Sequence, residues 1–203
     1  MQAEINWFGL AGGIAVVLLI GVSIFVPWWQ LLVGDSLVKA NVSPIYTNFD
    51  FIGGSFTIPL LLALNISSII LLAAGGVAIL IYSARPAESY SRRLLGFGYR
   101  KPLYALILFT VGLVAIVLVV KSVWSIDVPL MGSGRTTLPT NMTQGLTVSV
   151  LMVAGFQWPF LLGLAAAGLC IAAKFYDNKI VPIQKNNATN TSTAPATPPP
   201  AVA

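Results

Sequence analysis

The chain has 203 residues, of which 57% are hydrophobic and only 8% charged, with a formal net charge of +5 and a mean hydropathy of +0.86. A soluble domain carries about 25% charged residues, so this composition excludes an ordinary soluble fold. The chain contains no histidine, which removes the commonest metal ligand, haem ligand and neutral-pH general base. The positive charges flank apolar stretches and do not cluster on one soluble face, which argues against nucleic acid as a partner.

In chain order, the first apolar stretch predicts a helix over about 8–28. No basic residue precedes it, and it ends in Pro27, Trp28 and Trp29, not in a small-residue cleavage site, so it is expected to stay in the mature protein. Residues 29–56 form the first loop. Their flanks are rich in Val, Ile, Tyr and Phe around Ser43 and Pro44, which reads as a β-hairpin. A second helix is expected over 57–82, opened by Pro59, since proline is favoured in a helical first turn. A basic loop, 83–101, leads to a third helix over 102–121, opened by Pro102. The second loop, 122–146, offers a strand before the turn-like Gly132, Ser133 and Gly134. A fourth helix is expected over 147–175, with a bend at Pro159. Stretches of about 18 or more apolar residues are long enough to cross a bilayer. The expected fold is therefore an all-α integral membrane protein: a four-helix transmembrane domain over 1–176 with a small β-rich outer cap. The uncharged Asn, Thr, Ala and Pro run from Asn186 reads as part of a flexible cytoplasmic tail over 177–203.

Basic residues set the expected orientation. The 83–101 loop and the residues from Lys174 onward hold eight of the eleven Lys and Arg, among them Arg85, Arg92, Arg93, Arg100 and Lys101. Loops rich in Lys and Arg stay in the cytoplasm, so both termini are expected inside the cell membrane, with the 29–56 and 122–146 loops outside. Trp28, Trp29, Trp124 and Trp158 fall near the expected outer interface, where amphipathic rings act as anchors. Phe56, Pro59, Leu61, Leu62 and Leu64 recur one hundred residues later as Phe156, Pro159, Leu161, Leu162 and Leu164. That pattern is consistent with two repeated helix pairs.

Small residues allow helices to approach closely in lipid. Gly75 and Gly76 in the second span, with Gly163 and Gly168 in the fourth, are the candidate packing positions. Asn65 and Ser68 are the candidate polar contacts, Asn65 through a bond to a neighbouring helix. No Asp, Glu, Lys, Arg or His lies within the apolar stretches 8–26, 57–82, 103–120 and 156–173, which argues against pumps and ion-coupled transporters. Asn41 and Asn141 head glycosylation sequons on the expected outer side. With Trp28-Trp29 at its start and a strand-prone character, the long first loop resembles that of claudin-like four-helix membrane proteins. The resemblance covers topology only. That family's outer-loop cysteine pair has no counterpart, because the single cysteine, Cys170, lies in the fourth span.

No nucleophile, base and oxyanion-donor constellation occurs, and no cofactor or metal site is expected. The expected function is a non-catalytic accessory or scaffold subunit of a larger membrane complex, with the bilayer and other membrane subunits as partners. Two alternatives remain: a self-associating structural protein of an envelope, cell-contact site or virion, and a channel or carrier for a neutral or apolar molecule.

Overall fold

The computed structural model describes residues 5–34, 38–51, 54–56, 59–85, 90–124, 126–137 and 149–192. Four long helices dominate: α1 (Trp7–Ser23), α2 (Pro59–Ala84), α4 (Lys101–Trp124) and α5 (Trp158–Ser192), with a short α3 (Ser91–Gly98) between α2 and α4. The strands are β1 (Trp29–Val33), β2 (Val38–Val42), β3 (Thr47–Phe51), β4 (Gly54–Phe56), β5 (Gly132–Thr137) and β6 (Ser149–Phe156). They form one antiparallel sheet in the order β4-β3-β2-β1-β6-β5. The described chain is mostly helical, and α2, α4 and α5 are long and apolar enough to cross a membrane.

The helices close a ring in which α1 packs on α2 and α5, while α4 packs on α2 and α5. Close approach at glycines sets these contacts. A Cβ at Gly76 would fall 2.7 Å from Cγ1 of Val16, and one at Gly13 would fall 2.6 Å from Leu80, so α1 and α2 touch almost backbone to backbone. Gly12 faces Cys170 across the α1–α5 contact, and Gly163 faces Leu106 and Leu19. Gly75 lies against Lys101, Pro102 and the Gly98 carbonyl, where α3 turns into α4.

The sheet is not a separate layer. On its bundle side it buries Trp29, Leu31 and Val33 from β1, Ala40 and Val42 from β2, and Val150, Met152 and Ala154 from β6. These side chains belong to the same hydrophobic core as Val16, Leu19, Leu72, Phe109 and Leu113 of the helices. Strand alternation makes this possible, because every second residue faces the helices. The hairpin expected around Ser43 and Pro44 is present as β2 and β3, with Val42 opposite Thr47.

Several expectations are corrected. Residues 149–156, expected as the start of the fourth helix at 147, form β6, and the helix begins at Trp158. Pairing with β1 on one side and β5 on the other satisfies their backbone groups. The second-loop strand is the glycine run itself, Gly132–Thr137, and does not precede it. Gly132 enters that strand at φ 92°, which a side chain would resist. The first helix stops at Ser23, five residues short of 28. The last helix runs past the expected start of the tail at 177 and ends at Ser192. The repeated segments agree locally, since Phe56 and Phe156 each end a strand just before a helix. They differ globally: β4 is an edge strand, whereas β6 lies between β1 and β5.

Because Val16 is stiff at Cβ, Gly76→Ala is expected to destabilise the fold by about 1–3 kcal/mol through overpacking. Gly168→Ala, at a position with nothing within 4 Å, is expected to be neutral or slightly stabilising. Thermal unfolding of the two purified variants in the same detergent checks the contrast.

Candidate functional site

Two buried polar junctions hold the bundle, one at each end. At the sheet end the hub is Ser23, the last residue of α1. Its hydroxyl donates to the Leu19 carbonyl (2.6 Å) and accepts from Trp28 Nε1 (2.8 Å). Its carbonyl accepts from the Ser43 hydroxyl (2.7 Å). Carbonyls at a helix C-terminus lack intrahelical partners, and here a residue from the β2–β3 turn supplies one. The Trp28 N–H donates to the Val42 carbonyl, and the Trp28 carbonyl accepts from the Gln157 N–H (both 2.8 Å). The Trp28 ring packs at 5.0 Å from Phe109 and 6.1 Å from Phe160, and Phe160 stacks on Phe156 at 4.4 Å. Such ring pairs contribute about 0.5–1.5 kcal/mol each beyond the area they bury. Trp29 donates through Nε1 to the Leu130 carbonyl (2.8 Å), which pins the 126–131 segment to β1.

At the opposite end, Asn6 caps α1 by accepting from the Gly9 N–H (3.0 Å). Its amide donates to the Ala173 carbonyl (3.1 Å) and to the Tyr82 hydroxyl (3.2 Å), and Tyr82 donates to the Asp177 carboxylate (2.8 Å). Asn6, Tyr82 and Asp177 are all buried. One chain of bonds thus joins α1, α2 and α5. Among the described residues no buried side-chain nitrogen or oxygen lacks a partner, and no three His, Cys, Asp or Glu residues are grouped as metal ligands. Partial burial pushes the Tyr46 phenol above its ordinary pKa, so it stays protonated at neutral pH. The exposed Lys121–Asp127 pair, at 2.6 Å, is solvated and adds little stability.

The residues singled out from sequence fall into distinct places. Asn65 is buried and bonded, but its amide donates to the Thr47 hydroxyl (2.5 Å) of β3, not to a neighbouring helix. It ties α2 to the sheet. Ser68 is also buried and donates to the Leu64 carbonyl of its own helix (3.1 Å). Gly75, Gly76 and Gly163 are at helix contacts, while Gly168 is exposed on the outer flank of α5.

The tryptophan expectation is corrected for two residues. Trp28 and Trp29 are 0% and 2% exposed and serve as core, because the chain folds back over them as the sheet. Trp158, 53% exposed at the start of α5, does face outward. The Trp124 side chain and Asn141 lie outside the described residues. The Asn41 side chain accepts from Gln30 Nε2 on β1 (3.1 Å).

The far-end junction was not anticipated. Its only sequence signal is Asn6 at the start of an apolar run, a residue type favoured as a helix N-cap. Comparison with known proteins finds no matching family and no curated relative, so the claudin-like outline rests on topology alone.

Ser23→Ala would leave the Trp28 indole N–H buried without an acceptor. It is expected to cost about 1–3 kcal/mol, read by intrinsic tryptophan fluorescence during denaturant unfolding. Tyr82→Phe, which strips the Asp177 carboxylate of its donor, is expected to cost a similar amount, whereas Tyr46→Phe should change stability by less than half of that.

Proposed function

We propose that this chain is a multi-pass integral protein of the cell membrane that acts without catalysis, as an accessory or scaffold subunit of a larger membrane complex. The observation that carries this reading is a contrast between inside and outside. Among the described residues, every buried polar side chain is hydrogen-bonded within the fold. The helix flanks are apolar and exposed, with Leu18 on α1, Ile70 on α2, Val111 and Leu118 on α4, and Leu161 on α5. Lipid or another subunit must cover such flanks, since large exposed apolar patches are rare on soluble monomers.

Three helices reach the length a span requires. The fourth, α1, has 17 residues and at 1.5 Å per residue extends about 26 Å. That is slightly short of the hydrocarbon thickness of about 30 Å, and local bilayer thinning accommodates such a mismatch. The basic residues of 85–101 gather at the end of the bundle away from the sheet, which supports a cytoplasmic position for that end and for both termini.

Two surfaces favour association over a purely structural lipid-facing role. Leu161, Leu164, Ala165 and Gly168 share one exposed flank of α5, the spacing at which a further helix packs closely. On the side of the sheet turned away from the bundle, Leu151 and Val153 of β6 are 49% and 45% exposed. A second reading, self-association, draws on β5, a six-residue strand at the edge of the described sheet, since an edge strand is a template for pairing with another chain. The carrier reading has less support: Asn65 and Ser68, the buried polar residues of α2 beside which a neutral ligand would sit, are both bonded within the fold.

Extraction in a mild detergent followed by native mass measurement tests the proposal. A complex containing other chains is the expected result. A homo-oligomer would favour the second reading, and a lone monomer would contradict both.

A further inference from the structure

The short helix α3 has two faces of opposite character. Ser91, Leu95 and Gly98 are buried, with Leu95 packed into a small cluster beside Tyr82 and Ala173. Arg92, Arg93, Gly96 and Phe97 are exposed. Tyr99 keeps right-handed helical angles (φ −63°, ψ −26°), so Arg100, also exposed, continues the outward face. At about 100° per residue, Arg92, Arg93, Gly96, Phe97 and Arg100 fall within an arc of about 140°.

Three guanidinium groups therefore share one face with an aromatic ring that is 53% exposed. Lys101 Nζ sits 4.6 Å from the centre of the Phe97 ring, and the Arg100 guanidinium carbon sits 4.9 Å from the centre of the Tyr99 ring. None of the three arginines forms an ion pair with a described residue. Among the described residues at this end, the carboxylate is that of Asp177, which is buried and committed to Tyr82.

We infer that the outward face of α3 binds anionic phospholipid headgroups, with Arg92, Arg93 and Arg100 meeting the phosphates and Phe97 entering the acyl boundary. This inference rests on the membrane reading above. An amphipathic helix with a basic polar face and an aromatic residue lies in the interface in this manner. Its position at the α3–α4 corner places the charges at the level where a span begins. The choice of lipid over an acidic protein segment follows from Phe97, which a solvated acidic peptide would leave exposed and an acyl chain covers. The helix is held from behind by Leu95, by the Gly98–Gly75 contact and by the Ser91 hydroxyl bond to the Arg85 carbonyl, so the arginines are presented on a fixed backbone.

The test uses the full chain reconstituted in phosphatidylcholine vesicles, with trace spin-labelled phosphatidylglycerol or spin-labelled phosphatidylcholine. The motionally restricted fraction of each label gives their relative association. About a tenfold preference for phosphatidylglycerol is expected. It should fall to about twofold or less in the R92Q/R93Q/R100Q variant, and likewise for the unaltered chain in about 1 M salt, where screening acts within about 3 Å. Arg93→Gln alone, a fully surface change, should lower the preference about twofold, one arginine's share of the tenfold effect. Equal association of the two lipids, or a preference that survives the triple substitution, would overturn the inference while leaving the membrane reading intact. If neither label were restricted, both would fall.

Discussion

A buried polar group must find a partner, and Ser23 is where this chain meets that requirement most economically. The helix α1 ends there, and a helix end leaves carbonyls unpaired. Ser43 reaches back from the β2–β3 turn to the Ser23 carbonyl, and Trp28 reaches back to its hydroxyl. Those two bonds fold the first loop down onto the bundle. Once Trp28 is seated between Phe109 and Phe160, β1 has one available course, and β2 and β6 pair on either side of it. Asn65 and Thr47 repeat the same kind of tie from α2 to β3. The sheet and the helices thus share one core, and no disulfide is needed to hold the sheet in place.

The far end uses the same rule with different residues. Asn6, Tyr82 and Asp177 satisfy one another across three helices, and α3 is seated beside them through Leu95. With both ends closed by internal bonds, the groups left open among the described residues lie on the surface. Those surfaces are an apolar girdle of helix flanks, a sheet face carrying Leu151 and Val153, and the arginine face of α3. This distribution suits a protein that acts by contact with lipid and neighbouring chains, which is the basis of the function proposed here.

Much of the helical architecture was legible from sequence because runs of uncharged apolar residues have few stable alternatives. The β2–β3 hairpin was legible as well, from β-prone flanks around Ser43 and Pro44. The strand β6 was hidden. Its bundle-facing residues are Val150, Met152 and Ala154, and its outward residues include Leu151 and Val153, so both faces are apolar and the two-residue period disappears into what reads as helix. Trp28 and Trp29 misled for a related reason. Position along the chain placed them at an interface, and only the fold-back of the sheet reveals them as core. The glycines show how far pattern can go: Gly75, Gly76 and Gly163 meet neighbouring helices, but Gly168, in an equally small-residue context, faces outward. Which side of a helix is covered depends on the arrangement of the ring, and single-chain periodicity in a uniformly apolar helix carries no such information.

The central claim is that the sheet and the α3 corner lie on opposite sides of a bilayer, joined by four spanning helices. Accessibility of single cysteines to a membrane-impermeant maleimide in intact cells tests this most directly, with the buried Cys170 replaced by alanine. The account predicts that Ser133→Cys, on exposed β5, is labelled in intact cells, while Arg93→Cys is labelled only after the membrane is permeabilised. Labelling of both positions in intact cells, or of Arg93→Cys alone, would contradict it.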